Sequence, residues 1–162
     1  MKKKKGFTLI EVIVVIIILA ILMAVAVPSV MSYMNSANKA KYYAASRSVT
    51  QKVNVELTKF YAGDSDAKNY AMAVKIAVDQ YNKSVTGETY VSAIQFNYIN
   101  RDHPFPFNIS NPIANNSQSP EEAMRPENIK SMVIYYKKSL NSNGYACYCE
   151  VYPNKKIIYH SM

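Results

Sequence analysis

From Phe7 to Val27 the chain runs for 21 residues with only Thr8 and Glu11 polar. At about 1.5 Å of rise per residue, that run makes roughly 30 Å of helix, the thickness of a bilayer's hydrocarbon core. No second run of this kind follows in the 162 residues. One passage of a membrane and one globular domain beyond it are therefore predicted. Lys2, Lys3, Lys4 and Lys5 directly precede the run. Positive residues beside a first apolar helix stay cytoplasmic, so everything after Val27 is expected outside the cytoplasm.

The formal net charge is +8, with 19 basic residues against 11 acidic. Four of the basic residues form the lysine cluster, and without them the excess falls to 4. That modest surplus is spread along the chain and forms no basic block, so nucleic acid is not an expected partner. The two cysteines, Cys147 and Cys149, are two residues apart. On one strand their side chains share a face, and a bond between them would distort it. A disulfide framework is thereby excluded.

Helical patterning continues past Pro28. Val30, Met34, Ala37, Ala45, Val49, Val53, Leu57 and Phe60 recur at steps near three and four, giving one apolar stripe. Lys39, Lys41, Arg47, Lys52 and Lys59 occupy much of the remaining surface. Few breakers intervene before Gly63, so the pattern predicts a single helix of about 55 residues, kinked where Pro28 removes a backbone donor. A shorter second helix is predicted from Ala67 to Lys83. From Glu88 the pattern changes to short runs rich in β-branched and aromatic residues: TYVSAIQFNYI, SMVIYYKKS, GYACYCEVY and KKIIYH. NSNG and PN join the last three, which favours consecutive antiparallel strands. Arg101 to Asn128 is rich in Pro, Asn and Ser and reads as a long surface loop, with one capped turn at SPEEAM and a hydrophobic flap at DHPFPF. The expected fold class is α+β: a long kinked N-terminal helix, its first half transmembrane, packed on a small C-terminal antiparallel β-sheet in the shape of a ladle.

Three readings of the first 30 residues compete. A secretory signal would end at Ala24-Val25-Ala26 and release a soluble binding domain. Its apolar core usually spans only about 7–15 residues and carries no acid, which weighs against that reading. An uncleaved anchor explains the length but leaves Glu11 without a role. Cleavage at Gly6-Phe7 would keep the whole apolar segment on the mature protein. The stretch KKKKGFTLIEVIVVIIILAILMAVAVPSVMSYM resembles the N-terminus of a type IV prepilin. That family's pattern is a short basic leader ending in glycine, a phenylalanine, a glutamate at the fifth mature position and an apolar helix broken by proline. Here these fall on Gly6, Phe7, Glu11 and Pro28.

The resemblance covers about 35 residues, and it implies a pilin-like structural subunit rather than an enzyme. It implies a leader over residues 1–6, a transmembrane and polymerisation helix over 7–28, and a head over 29–162. A prepilin peptidase would cut at Gly6-Phe7 and methylate Phe7. Other pilin subunits and a membrane platform would be the partners, with Glu11 pairing with a neighbour's terminal amine. Glycine before the scissile bond suits a backbone that catalytic carboxylates must approach closely. A lone carboxylate in hydrocarbon is costly, and pairing is the usual resolution. Ala20, Ala24 and Ala26 offer small surfaces for close helix approach. A pseudopilin of a type II secretion or DNA-uptake machine would share every one of these residues.

Other candidates are weaker. Cys147 and Cys149 have only His103 and His160 as conceivable companions for a metal, and Tyr145, Cys147, Cys149 and Val151 read instead as the buried face of one strand. Many pilins close a C-terminal loop with two well-separated cysteines, and this sequence departs from that pattern. Of the 14 tyrosines, Tyr42, Tyr43, Tyr61, Tyr70 and Tyr81 are expected to pack helices. Asp64, Asp66 and Asp79 are scattered, as helix ends and turns require. No catalytic constellation, phosphate loop, metal site or cofactor is expected. Specific contacts are expected in the Arg101–Asn128 loop.

Overall fold

A computed structural model describes residues 8–85, 89–99, 105–108, 126–137 and 144–162. Two helices come first, α1 (Leu9–Ala62) and α2 (Tyr70–Ser84). Five strands follow: β1 (Tyr90–Tyr98), β2 (Phe105–Asn108), β3 (Ile129–Lys137), β4 (Tyr145–Val151) and β5 (Ile157–Ser161). A 3₁₀ turn, Pro126–Asn128, leads into β3. The fold is α+β, a long apolar N-terminal helix followed by an antiparallel sheet. The chain divides into two compact units, Met1–Lys39 and Ala40–Met162.

α1 is one helix of 54 residues and runs through Pro28 without a break. Proline offers no N–H to the carbonyl of Ala24, one turn earlier, so the ladder loses one bond there. Side chains inside the helix return their hydroxyls to the backbone: Thr50 Oγ1 donates to the Ser46 carbonyl at 2.7 Å, and Thr58 Oγ1 to that of Asn54 at 2.8 Å. Termination is local. Gly63 takes φ +77°, its N–H donates to the Phe60 carbonyl, and the Asp64 N–H donates to that of Lys59. That pair of bonds is the Schellman stop, which favours glycine because its left-handed residue needs no Cβ.

The apolar stripe of α1 is buried only in its later part. Tyr42, Ala45, Val49, Val53 and Leu57 belong to the core of the second unit, and Phe60 packs against it. Val30, Met34 and Ala37 are exposed and lie in the first unit, so periodicity alone extended the packing face too far back. α2 starts at Tyr70 rather than Ala67. Asn69 caps it, its Oδ1 accepting from the Met72 N–H at 2.8 Å. An uncapped start at Ala67 would leave those donors orphaned. Tyr70, Ala71, Ala73, Val74, Ala77, Val78 and Tyr81 form its buried face.

The sheet order is β2-β1-β3-β4-β5, antiparallel throughout. The last three strands form the meander that the turn sequences favoured. β2 was not expected: Phe105–Asn108 falls inside the stretch read as loop and flap, yet it pairs with Ala93–Phe96 of β1. Pro106 is the reason it reads as loop. An edge strand tolerates a residue without a donor, since one side of it faces no ladder. The Pro126–Asn128 turn also belongs to ordered structure, and SPEEAM lies outside the described residues.

Along β4 the alternation is regular, with Cys147, Cys149 and Val151 buried. Tyr145, expected on that same face, is instead 46 % exposed. The register slips between Tyr136 and Lys137, where β3 meets Tyr145. Both thiols are free and completely buried. Burial pushes the Cys147 thiol up to about 11 from an ordinary 9 and raises Cys149 as well. Ser46 of α1, also buried, shares a 2.9 Å hydrogen bond with the Tyr136 hydroxyl across the core. A satisfied polar pair of this kind fixes one registry of helix on sheet.

β4 and β5 are joined by a tight turn in which Tyr152 N–H donates to the Lys156 carbonyl and Lys155 N–H to that of Tyr152. Lys155 has φ +66°, in the left-handed region. A side chain there costs roughly 1–2 kcal/mol, and asparagine tolerates it better. Lys155→Asn should raise the stability of the full chain in detergent by up to about 1 kcal/mol in a thermal melt. Because the Cys147 thiol ionises near 9 when unfolded and about 11 when folded, its contribution is complete below pH 9. It is lost as the pH rises through that window. Stability should fall over that range, and maleimide should label neither cysteine at neutral pH until the protein unfolds.

Candidate functional site at the start of the apolar helix

The first turn of α1 is a closed polar cluster on an otherwise apolar helix. Thr8 donates twice to one carboxylate oxygen, Glu11 Oε2, from its backbone N–H and from its hydroxyl, each at 2.8 Å. The Glu11 N–H returns a longer bond of 3.4 Å to Thr8 Oγ1. The Thr8 carbonyl accepts from Val12 N–H, the first bond of the helical ladder. This is a capping box: threonine at the cap, glutamate three residues on, each satisfying the other's orphan donor. The T-x-x-E signature is present in the sequence, and it gives Glu11 a partner in its own chain that the apolar pattern does not show.

The cluster sits at the head of a surface that is exposed among the described residues. Every large apolar residue from Leu9 to Val27 is exposed, from 42 % at Ile13 to 80 % at Leu9. Exposed apolar area stabilises association at about 25 cal/mol per Å² removed from water. α1 is long and apolar enough to cross a membrane. Glu11 is placed at the very start of that surface, inside the first turn, where the helix dipole favours an anion. Its other oxygen, Oε1, takes no hydrogen bond among the described residues. The site therefore combines an anion held in place by its own cap with one acceptor oxygen in reserve.

Gly6 and Phe7, the expected cleavage and methylation positions, lie outside the described residues. Pro28 is placed within α1, 17 residues beyond Glu11. Cys147 and Cys149 are brought together with Tyr42, Tyr136 and Tyr159 in the core, and no group of three potential metal ligands occurs among the described residues. His160 stacks on Tyr148 at 4.5 Å, on the strand position facing away from the two thiols. His103 lies outside the described residues, as does most of the Arg101–Asn128 loop. Tyr42, Tyr70 and Tyr81 are buried, Tyr43 half-buried and Tyr61 37 % exposed. Asp79 pairs with Lys75 at 2.6 Å on the surface of α2.

Residues 1–27 match a family model described as the prokaryotic N-terminal methylation motif. No curated protein and no solved structure matches the chain. Removing the cap tests the local geometry. Thr8→Val should cost the first turn about 1 kcal/mol, read as roughly fivefold faster amide exchange at Leu9–Val12 in a bilayer mimic. Exchange unchanged from the parent would mean that the Thr8–Glu11 bonds do not hold the turn.

Proposed function

We propose, for a chain whose first 27 residues carry the methylation motif of type IV pilin-like proteins, that it is a structural filament subunit without catalytic activity. The observation that carries the proposal is the pairing of an uncovered apolar helix with a capped carboxylate in its first turn. In this reading a prepilin peptidase cuts between Gly6 and Phe7 and methylates the new amine. Phe7 then carries a positive amine, one residue before the Thr8 cap in sequence.

Glu11 Oε2 is already held by Thr8, so the carboxylate does not need the amine of its own chain. Oε1 is the acceptor for the amine of a neighbouring subunit. A carboxylate in hydrocarbon is costly unless paired, and the pair forms only when subunits pack side by side. The cost of the unassembled state becomes a preference for the assembled one. Neighbouring helices replace lipid around Leu9–Val27, and Ala20, Ala24 and Ala26 allow close approach. The lysines keep the cleavage site on the cytoplasmic side, and residues beyond Pro28 carry the head outside the cytoplasm.

Continuity of α1 supports this reading over release of a soluble domain at Ala26. The same helix that begins at Leu9 supplies Tyr42, Val49, Val53 and Leu57 to the head's core. Two substitutions in the full chain test the mechanism. Gly6→Val should leave the precursor uncut. Glu11→Ala should be cut normally and yet be lost from filaments by more than tenfold, a change worth over about 1.4 kcal/mol. Normal incorporation of Glu11→Ala would sink the pairing mechanism.

A further inference from the structure

A groove of about 630 Å³ opens within the second unit, between α1 and the β4–β5 turn. Val55, Val151, Pro153 and Ile157 give it an apolar lining, and Arg47 and Lys155 add two cations. A smaller cleft of about 90 Å³ shares several of its walls and reaches Phe96 and Met132 beneath. Both cations are exposed, and neither makes an ion pair among the described residues. Lys155 is also the described non-glycine residue with a left-handed backbone.

The complementary surface lies farther along the same helix. The corner from Tyr61 to Asp66 joins an exposed ring and Ala62 to two exposed acids, Asp64 and Asp66. Neither acid makes an ion pair among the described residues. We infer that the groove of one subunit receives this corner of a second copy. The apolar lining covers Tyr61 and Ala62, while Arg47 and Lys155 meet Asp64 and Asp66. The inference rests on the filament reading and names a contact between heads that this reading leaves open.

Charge sign selects the occupant. Among the described residues, the groove carries two cations without an ion pair, and the corner two such acids beside apolar surface. Within one chain Arg47 and Tyr61 are 14 residues apart along α1, about 21 Å, so Arg47 does not reach the corner at the end of its own helix. The two surfaces differ, so each contact leaves a free groove at one end and a free corner at the other. Such heterologous contacts propagate into open assemblies, whereas a self-complementary patch closes into a dimer. Complementary charge also fixes register and rejects wrong neighbours.

Cysteine cross-linking within filaments of the full chain tests the contact. Gln51→Cys combined with Ala62→Cys places one thiol at the groove and one at the corner. The native thiols are buried and should stay silent. Mild oxidation should give a ladder of multimers from the double variant and none from either single variant. Intact filaments without a ladder overturn the contact and leave the filament reading standing; an unaltered chain that forms no filaments overturns both. Charge reversal decides the matter if the double variant fails to assemble. Arg47→Glu with Lys155→Glu, or Asp64→Lys with Asp66→Lys, should cut the filament recovered after shearing by on the order of tenfold. All four together should restore it. No loss in either pair, or no recovery in the combination, overturns the contact. A fatty-acid anion that co-purifies with the chain and is lost on Arg47→Glu with Lys155→Glu assigns the groove to lipid and overturns it as well.

Discussion

The apolar surface of α1 from Leu9 to Val27 governs the rest of the molecule. Its large apolar residues are exposed throughout among the described residues. A surface of that size cannot rest in water, so the protein is committed to a second apolar medium, either lipid or other helices. Where polar atoms enter this region they are handled locally. Thr8 and Glu11 close the helix's first turn on each other, which satisfies donors that hydrocarbon would otherwise strand.

The same helix meets a different demand beyond Lys39. There its stripe from Tyr42 to Leu57 belongs to a core shared with α2 and one face of the sheet. That core is built to be specific as well as apolar. Ser46 and the Tyr136 hydroxyl are buried and bonded to each other, and the Glu56 carboxylate, also buried, accepts from Ser65 in the loop after the helix. Each polar contact forms in one alignment of helix and partner only. The two free thiols sit in the same core as small apolar groups, raised in pKa by burial and without metal-ligating company among the described residues. In the proposed filament the two halves of α1 have separate duties: the first supplies association and the second holds the head.

Much of this was legible in the sequence because it depends on local pattern. An apolar run broken only by Thr8 and Glu11, a 54-residue helix ending at glycine and the paired burial of Cys147 and Cys149 all follow from periodicity and chain stereochemistry. What was missed depends on partners that periodicity does not show. Val30, Met34 and Ala37 continue the stripe but are exposed, so a perfect pattern there is not a buried face. Phe105–Asn108 reads as loop because Pro106 argues against a strand, and the edge position makes it tolerable. Tyr145 changes exposure through a register slip that no alternation rule contains. The Thr8–Glu11 box is legible from its three-residue spacing, although an acid in an apolar run draws attention first to its charge.

The most direct measurement is the N-terminal sequence and intact mass of the protein recovered from sheared cell-surface filaments. A chain beginning at N-methylated Phe7 is the expected result. It would mean that the leader is removed, the apolar helix is retained and Glu11 stands at the fifth mature position. A mature chain beginning at Val27 and found free in the medium would contradict assembly through this helix.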